Sequence, residues 1–460
     1  MMFALYLIML VLVLLKPVEA FAPELAGLRI AMVLSLLVFA LALGSAMRTG
    51  EMAIRGRHVL VLSGLTASVV MSQVAQGWLG GASQAFTDFM PSVLLFLTTV
   101  MVVTTMSRLK ATCTLIVLCM VALSIAGIAA YHWGFMVQDL VIREGSSSAV
   151  DHLAVYDGTL APAHDRTGTS LWRIRSWGFL SDPNDLAQMI VVALTVMFGA
   201  RMDGQGVRNL LRIWLPAAIL VYALWLTRSR GGMLGLGVVL AYAMLQRTGP
   251  VRAGIVASLF ALAAIATGAT GGRGYSADEA SAGGRIDAWS EGLTMLGHNP
   301  VFGVGYGNFT QHHAYTAHNS FVLAFSELGL VGYMFWLALL VLAFRELAVA
   351  RRMSEPESDE ARWARLLQFS LVGFLVCAVF LSRSFVPTLY LLLGLCYACW
   401  HCAVKASLAR DWEAPIEDGA PGPTLLAEAP VRWVGLTVAA LPASILVLYA
   451  VVRLQHMGGG

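Results

Sequence analysis

The stretch HNSFVLAFSELGLVGYMFWLALLVLAFR, residues 318–345, determines the kind of fold that this chain can adopt. Between His318 and Arg345 it contains one charged side chain, that of Glu327. The run exceeds the roughly 20 apolar residues that cross a hydrocarbon core of about 30 Å. Because a backbone polar group cannot stay unpaired in lipid, such a segment must be helical. The stretch therefore predicts a transmembrane helix with a polar start at His318.

The composition of the whole chain agrees with a membrane location. Of its 460 residues, 58% are hydrophobic and 12% are charged, whereas an average soluble protein is about 25% charged. The net charge of +3 comes without a block of lysine and arginine, which argues against nucleic acid as a partner. We predict a single integral membrane domain over residues 1–460, with the lipid bilayer as its surroundings.

Further apolar runs extend from one end of the chain to the other, which predicts an all-α polytopic membrane protein with about 12 to 13 transmembrane helices. The first run, MMFALYLIMLVLVLLKPVEAF, has no basic residue before its apolar part, so an uncleaved span is favoured over a secretory signal. The predicted spans lie near residues 3–20, 28–47, 58–77, 90–107, 111–130, 183–200, 210–227, 231–246, 253–270, 318–345, 366–382, 387–404 and 433–453.

Basic residues predict the orientation, because short cytoplasmic loops carry an excess of lysine and arginine. Every second loop is basic, which places the N-terminus and these loops in the cytoplasm. Residues 405–432 are then a cytoplasmic linker. The alternate loops face outward, and they include the two longest, residues 131–182 and 271–317, in which we expect short helices.

Five polar segments should meet on the outer face. Arg228, Arg230, Arg285 and Arg383 lie at or near outer helix ends, against the charge bias. Snorkelling to lipid headgroups would explain any one of them, but together they predict a diphosphate site, because a guanidinium matches phosphate oxygens. The segments are RIRSWGFLSDPNDLA (173–187), TRSRGG (227–232), GGRIDAW (283–289), GVGYGNF to AHNSF (303–321) and SRS (382–384).

The sequence contains no DxD motif, no HExxH motif and no paired carboxylates at metal-ligand spacing. We therefore expect no metal and no cofactor, with arginine supplying the positive charge that stabilises a diphosphate leaving group. Cys396, Cys399 and Cys402, with His401 nearby, fall along a predicted span, where packing is favoured over metal binding. No cysteine lies in an outward loop, so no structural disulfide is expected.

His318 is the candidate general base. At a helix N-terminus its pKa should be lowered, so that a neutral imidazole is ready to accept a proton from an acceptor hydroxyl. A capping or interfacial histidine without chemistry is the alternative. Asn319 beside it is a candidate site residue, and His312 and His313 are loop neighbours that could shape the acceptor site.

Two neighbouring motifs have structural explanations beside functional ones. In SDPNDLA, Ser181 or Asp182 can cap a helix that begins with Pro183, although Asp182, Asn184 and Asp185 could also bind sugar hydroxyls. The alternating glycines 303, 305 and 307 predict a tight turn that delivers the histidine, rather than the phosphate cradle of a nucleotide fold. For Glu327, inside the tenth span, we expect a packing or hydrogen-bonding role.

The order TRSRGG, GRIDAW, HNPVFGVGYGNF and AHNSFVLAFSELGLVG resembles the core of the bacterial O-antigen ligase and O-antigen polymerase superfamily, most strongly over residues 225–336. The stretches FLSDPNDLA and LKPVEAFAPELAGLRI are similar to segments of members that handle exopolysaccharide or protein glycans. The resemblance implies a membrane glycosyltransferase of the GT-C class. Such enzymes transfer a glycan from undecaprenyl diphosphate at the periplasmic face, with inversion and without metal.

The resemblance also implies residue roles. His318 would be the catalytic base, and Arg228, Arg230 and Arg285 would bind the diphosphate, while Arg175 and Arg383 are further candidates for the substrate site. Family members differ in the acceptor, which is lipid A core for ligases, another carrier-linked glycan for polymerases, and a protein hydroxyl for oligosaccharyltransferases. The quoted motifs do not separate these. A transporter or flippase of lipid-linked glycans is the main alternative, and a scaffold of a polysaccharide assembly complex is a third.

Overall fold

The computed structural model describes residues 2–28, 30–49, 54–145, 170–202, 204–266, 280–413 and 433–458, which are mostly α-helical. Short 3-10 helices cover Pro23–Leu28, Gly178–Leu180 and Phe198–Ala200, and a π-helix covers Leu210–Trp214. The α-helices are α1 (Met2–Leu15), α2 (Pro17–Phe21), α3 (Ile30–Thr49), α4 (Gly56–Ala75), α5 (Leu79–Val102), α6 (Met106–Trp133), α7 (Val137–Leu140), α8 (Pro183–Met197), α9 (Gly206–Asn209), α10 (Leu215–Leu226), α11 (Arg230–Thr248), α12 (Pro250–Ala266), α13 (Ala280–His298), α14 (Phe309–His312), α15 (Ser320–Met353), α16 (Asp359–Ala378), α17 (Pro387–Glu413) and α18 (Val434–Gly458).

Each predicted span overlaps a helix, although residues 103–105 of the fourth and 379–382 of the eleventh are not helical, and residues 267–270 of the ninth lie outside the described residues. Within the described ranges ten helical segments are long and apolar enough to cross a membrane. The prediction of an all-α polytopic membrane protein is confirmed. α1 and the beginning of α12 are shorter apolar helices, and α11 lies at the predicted eighth span without being one of the ten. The predicted linker begins within α17, which continues to Glu413, and residues 414–432 lie outside the described residues.

α17 packs against α5 and α15 at the centre of the bundle, α4 packs against α5 and α15, and α16 packs against α15, α17 and α8. Lipid tails provide no hydrophobic force between helices, so close packing through small residues holds such bundles together. A Cβ added at Gly232 of α11 would lie 2.6 Å from the Cβ of Ala187 in α8, and one at Gly235 would lie 2.6 Å from the Sγ of Cys377 in α16. Glycines therefore bring α8, α11 and α16 together where the polar segments lie.

The first long loop contains a two-stranded antiparallel ribbon that the sequence did not lead us to expect. β1 (Val141–Gly145) follows the short helix α7 and pairs with β2 (Ser170–Ile174), with Val141 opposite Ile174. Residues 146–169 between the strands lie outside the described residues. Two backbone hydrogen bonds hold the chain between the ribbon and α8. Arg175 N donates to Leu140 O at 2.8 Å, and Ser176 N donates to Leu180 O at 3.0 Å.

The helix predicted as one continuous span over residues 318–345 is broken. α15 would be about 51 Å long at 1.5 Å per residue, well beyond a hydrocarbon core, and Gly329 interrupts it with φ 64° and ψ −168°. The loop before α14 pairs with the backbone groups that the break releases. The bonds run from Val304 N to Ser326 O (2.9 Å), Gly305 N to Glu327 O (3.1 Å), Leu330 N to Pro300 O (2.8 Å) and Val331 N to Val301 O (3.2 Å).

Two glycines allow this close approach. A Cβ on Gly329 would lie 2.4 Å from the carbonyl carbon of Val301, and a Cβ on Gly303 would lie 2.4 Å from the carbonyl carbon of Glu327. Both glycines have positive φ, at 64° and 68°, which side chains disfavour. We call this contact between residues 300–305 and the break the glycine interlock. It satisfies in protein the backbone groups that lipid could not satisfy.

Candidate functional site

His318 lies in a turn whose neighbours are fixed on both sides. Its backbone is left-handed, with φ 47°, an unusual conformation for a residue with a side chain. On the N-terminal side, Trp289 Nε1 of α13 donates to Ala317 O at 3.0 Å. On the C-terminal side, Asn319 Oδ1 caps α15 by accepting from Phe321 N at 2.9 Å and Val322 N at 3.2 Å. Asn319 therefore acts on the helix end through its side-chain oxygen.

The turn between α16 and α17 is hydrogen-bonded to the start of α15, next to the His318 turn. Ser320 Oγ donates to Leu381 O at 2.6 Å and accepts from Arg383 N at 2.9 Å. Ser384 Oγ donates to Ser320 O at 2.6 Å, and Thr316 Oγ1 donates to Ser382 Oγ at 2.8 Å. The SRS segment is thus held against the start of α15, which brings Arg383 into the surroundings of His318.

Electrostatics around His318 favour the neutral imidazole. Burial lowers its pKa below the ordinary value, and the positive charges of Arg285, Arg383 and His313 lower it further, while Asp182 opposes them. The direction agrees with our prediction, but the cause differs. We expected the helix N-terminus to lower the pKa, whereas burial and neighbouring cations do so.

Asp185 is an anchor for Arg383. Both of its oxygens accept from the Arg383 guanidinium, Oδ1 from Nε at 2.6 Å and Oδ2 from Nη2. The Asp185 side chain is 3% exposed and that of Arg383 is 33% exposed. Asp185 therefore orients the guanidinium of Arg383. This bidentate pair connects α8 to the turn after α16.

The start of α8 follows the predicted capping pattern. Asp182 is the N-cap and Pro183 the first helical residue. Asp182 Oδ1 accepts from Asn184 N at 2.7 Å and from Asn184 Nδ2 at 2.8 Å, so the capping prediction is confirmed. The half-exposed carboxylate also acts electrostatically on His318 and Arg383, so it lies within the site.

Arg173 is a site residue that sequence reasoning missed in favour of Arg175. Arg173 is 6% exposed; its Nε donates to Thr227 O at 2.8 Å and its Nη2 to Asn184 Oδ1 at 3.0 Å. It thereby joins β2, α8 and the end of α10. Arg175 instead donates to Asp139 O and Gln138 O at 2.7 and 3.2 Å, at the start of the first long loop. β2 ends at Ile174, between the two arginines, and because this strand was not predicted, no sequence signal separates them.

Arg228 and Arg230 lie on the turn between α10 and α11. Arg228 is left-handed, with φ 50°, and its guanidinium carbon lies 3.9 Å from the centroid of the Trp225 ring. The side chain also hydrogen-bonds Tyr131 of α6. Its Nε is buried and has no hydrogen-bond partner among the described residues. Ser229 caps α11 by accepting from Gly232 N at 3.1 Å, and Arg230 is the exposed first residue of that helix.

The remaining predicted site residues are Arg285, His313 and His312, and they differ in their proximity to His318. Arg285 is half-buried on α13, and its charge reaches His318. His313 is also near enough to act on His318, and its Nδ1 contacts the backbone of Tyr315. His312 is exposed at the end of α14. The three histidines thus have different surroundings, and His318 is the one enclosed by arginine charges.

The glycine turn before α14 has the predicted form. Gly303, Gly305 and Gly307 have φ of 68°, 102° and 78°, values that favour glycine. Glu327 Oε1 accepts from Phe309 N at 3.3 Å, so the hydrogen-bonding role expected for Glu327 is confirmed. From α4, Gln73 Nε2 donates to Tyr306 O at 2.5 Å. This turn precedes the His318 segment and is fixed to α4 and α15.

The cysteines lie apart from the site. Cys396, Cys399 and Cys402 are buried along α17 with free thiols. Within the part of the chain that the structure describes, no three or more His, Cys, Asp or Glu side chains are grouped as metal ligands.

The fold and the site define a polytopic α-helical membrane protein with an arginine-rich site around one histidine at one end of its bundle. Residues 215–337, about a quarter of the chain, match the family model described as O-antigen ligase. The matched segment contains Arg228, Arg230, Arg285 and His318. The match supports the resemblance to the O-antigen ligase and polymerase superfamily. No curated protein matches the chain.

Proposed function

We propose that this protein is an inverting, metal-independent glycosyltransferase of the GT-C class, which moves an oligo- or polysaccharide from undecaprenyl diphosphate to an acceptor hydroxyl. The observation that carries the proposal is the His318 turn. A histidine with lowered pKa lies among the charges of Arg285 and Arg383, inside the segment that matches the O-antigen ligase domain. A proton acceptor beside several cations suits a reaction in which a hydroxyl attacks and a diphosphate leaves.

The proposed reaction is a single displacement. His318 takes the proton of the acceptor hydroxyl, and the acceptor oxygen forms a bond to the anomeric carbon. On the opposite side, the bond from that carbon to the phosphate oxygen breaks, which inverts the anomeric configuration. The electron pair leaves with the lipid diphosphate. Neutral imidazole is the form that this step needs, in agreement with the lowered pKa of His318.

Arginines would bind the diphosphate and stabilise its developing charge. Guanidinium groups remain cationic and pair with phosphate oxygens in a planar fork. Arg228, with its buried and unpaired Nε among the described residues, and Arg285, whose charge acts on His318, are the principal candidates. Arg230 adds an exposed cation, and Arg383 is oriented by Asp185. Because these cations supply the charge stabilisation, the proposal requires no metal.

The orientation follows from the charge bias and stays part of the proposal. Arg351, Arg352 and Arg410 lie at the other end of α15 and α17, which the bias assigns to the cytoplasm. The site then faces the periplasm from the inner membrane. The acceptor is lipid A core, another carrier-linked glycan or a protein hydroxyl, and its class defines whether the protein is a ligase, a polymerase or an oligosaccharyltransferase.

The test replaces His318 with alanine and measures transfer in membranes supplied with lipid-linked donor. We expect transfer to fall by at least about a hundredfold, the contribution typical of a general base, while donor binding is retained. Wild-type transfer by the variant would overturn the assignment. Deleting the protein and comparing surface glycans then separates acceptors, because loss of long carrier-linked chains indicates a polymerase and their accumulation indicates a ligase.

The break in α15 favours one competing function, a transporter or flippase, because such proteins use discontinuous helices to bind substrates near the midplane. Here the glycine interlock pairs the released backbone groups at Ser326, Glu327, Leu330 and Val331 with a loop. Cysteines introduced at positions 228, 285 and 318 distinguish the two functions. A transferase should be labelled from one side only, whereas a flippase should be labelled from both.

A further inference from the structure

A row of aromatic side chains leads from the lipid-facing surface to Arg228. Tyr222 and Trp225 of α10 are stacked, with ring centroids 5.9 Å apart and an interplanar angle of 17°. His132 of α6 stacks on Tyr222 at 5.9 Å and 11° and contacts its hydroxyl at 2.6 Å. The guanidinium of Arg228 lies 3.9 Å from the Trp225 centroid. We call His132, Tyr222 and Trp225 the aromatic ladder.

The spacing along α10 explains why these groups form a line. Tyr222 and Trp225 are three residues apart on α10, which places them on one face of that helix. Arg228 follows in the turn beyond Leu226, the last residue of α10. The interval from Tyr222 to Trp225 advances about 4.5 Å along the axis, so Tyr222 lies deeper in the span than Arg228. The ladder descends from the candidate diphosphate site into the bilayer.

The ladder differs from an ordinary belt of interfacial aromatics. Tryptophan and tyrosine at membrane surfaces occur around the circumference at the level of the headgroups. The ladder instead runs along the helix axis and ends on an arginine that also hydrogen-bonds Tyr131 of α6. Tyr222 is 37% exposed, and the same face continues below it through the exposed Leu215 of α10, at 51%, and Leu211 of the preceding π-helix, at 60%.

We propose that the aromatic ladder binds the isoprenoid chain of the lipid diphosphate donor, next to the diphosphate held by Arg228. This inference rests on the proposed function and names where the donor lipid enters, between α6 and α10. The charge of Arg228 and the depth of the aromatic ladder favour the isoprenoid diphosphate as the ligand. A cation at the surface end suits the diphosphate, and an apolar, partly exposed aromatic face that continues into the span suits branched alkene units. A sugar at the depth of Tyr222 would have to leave water.

The test measures binding to the full-length protein in nanodiscs without any transfer reaction. The probes are undecaprenyl diphosphate and inorganic diphosphate. Tyr222→Ala should weaken binding of undecaprenyl diphosphate about tenfold, the loss of one aromatic contact and its buried area, and leave inorganic diphosphate unchanged. Tyr222→Phe, which keeps the ring, should bind like the wild type. Tyr449→Ala is the matched control, because Tyr449 is 47% exposed on α18, away from the ladder.

Arg228→Gln separates the inference from the function on which it rests. We expect this variant to weaken both probes. If Arg228→Gln weakens both while Tyr222→Ala weakens neither, the ladder is overturned and the diphosphate site stands. If the wild type binds neither probe, the proposed donor is wrong, and the proposed role of the aromatic ladder is overturned as well. If Tyr222→Ala weakens only an acceptor saccharide, the ladder belongs to the acceptor, and our assignment is overturned.

A photoreactive isoprenoid diphosphate gives a second measurement that does not depend on a substitution. After irradiation, the label should be found on peptides from the end of α6 and from α10, at or next to His132, Tyr222 and Trp225. Labelling confined to α18 or to α12 would overturn the assignment, whatever the affinities show.

Discussion

The two ends of the bundle hold their cations in different ways. At the end where α15 finishes, which we call the basic end, Glu346 pairs with Arg57 and with the His58 imidazole, and Glu355 pairs with Arg410. At the site end, Asp185 pairs with Arg383, and Asp182 acts electrostatically on Arg383 and on the buried Arg173. Arg228 there lies over an aromatic ring.

This difference separates charges that stabilise the fold from charges available to a ligand. A cation paired with a buried carboxylate has its field compensated within the protein. A cation that contacts neutral groups retains its field, which can act on an anion that enters. Arg228 at the site end is therefore available to an entering anion, whereas the Glu346 cluster at the basic end has the electrostatics of a structural anchor.

The largest expected effect comes from exchanging arginine for lysine at both ends. Arg228→Lys removes the planar fork but keeps the charge, so we expect transfer to fall by about a hundredfold, in the range seen for loss of one transition-state donor. Arg57→Lys at the basic end should change transfer less than threefold. The measurement is turnover per folded protein with lipid-linked donor. Equal losses at both ends would refute the division between them.

A second prediction concerns the anchor of Arg383. Asp185→Asn leaves Arg383 without its carboxylate partner, so the guanidinium loses its orientation, and we expect transfer to fall ten- to a hundredfold. Ser384→Ala, in the same turn, removes a hydrogen bond to Ser320 O but leaves the ion pair in place. Turnover of the two variants should therefore differ clearly. A fall of the same size in both would assign the effect to the turn rather than to the ion pair.

The third prediction tests the basic end through stability. Glu346→Ala would leave Arg57 and the buried His58 without their partner, at a cost of about 3 kcal/mol in the free energy of unfolding. Thermal unfolding in detergent measures this cost, and transfer by the folded fraction should remain near that of the wild type. A stable but inactive variant would show that the basic end contributes to the reaction.

The fourth prediction is a pH dependence. Because the pKa of His318 lies below the ordinary value of about 6.5, transfer should persist on acidification through that value and fall only when the pH passes the lower, folded-state pKa. Arg285→Gln removes one cation that lowers it. The acid limb of the pH–rate profile should then move to higher pH, beside any loss in turnover. An unmoved limb would mean that another group titrates.

The smallest effect is expected at the surface of the basic end. Lys110 pairs with Asp359, and their side chains are 38% and 41% exposed. Such a pair contributes about 0.2–1 kcal/mol. Lys110→Ala should change the melting temperature by a degree or two and leave transfer unchanged. A large loss of stability would indicate that this exposed pair is coupled to the buried anchor at Glu346.

Helix positions could be predicted from the sequence, because a backbone that crosses lipid must pair its polar groups within a helix. Every predicted span overlaps a helix along most of its described length, and Asp182 and Pro183 begin α8 as their chemistry requires. The break in α15 was not predicted. Gly329 lies in an apolar run without proline, and the strain is acceptable only because residues 300–305 supply the missing hydrogen bonds. That partnership depends on tertiary contacts.

Part of the candidate site could also be predicted from the sequence. His318 and the arginines at helix ends stand out because polar groups are rare in such a chain. Arg173 does not, because its role depends on the strand ending at Ile174 and on Thr227 lying beside it. Likewise, Asp185 had two roles open from sequence alone, and the nearby Arg383 selects one of them.

The glycine interlock has a consequence for how the protein is made. The part of α15 before Gly329 is about 14 Å long, too short to cross the membrane, and its last carbonyls bind the loop that follows α13. During biogenesis, these groups find their partners only after the chain has been inserted as far as Val331. The turn that carries His318 is completed later still, because its contacts with Leu381, Ser382 and Ser384 form only after that segment has been synthesised.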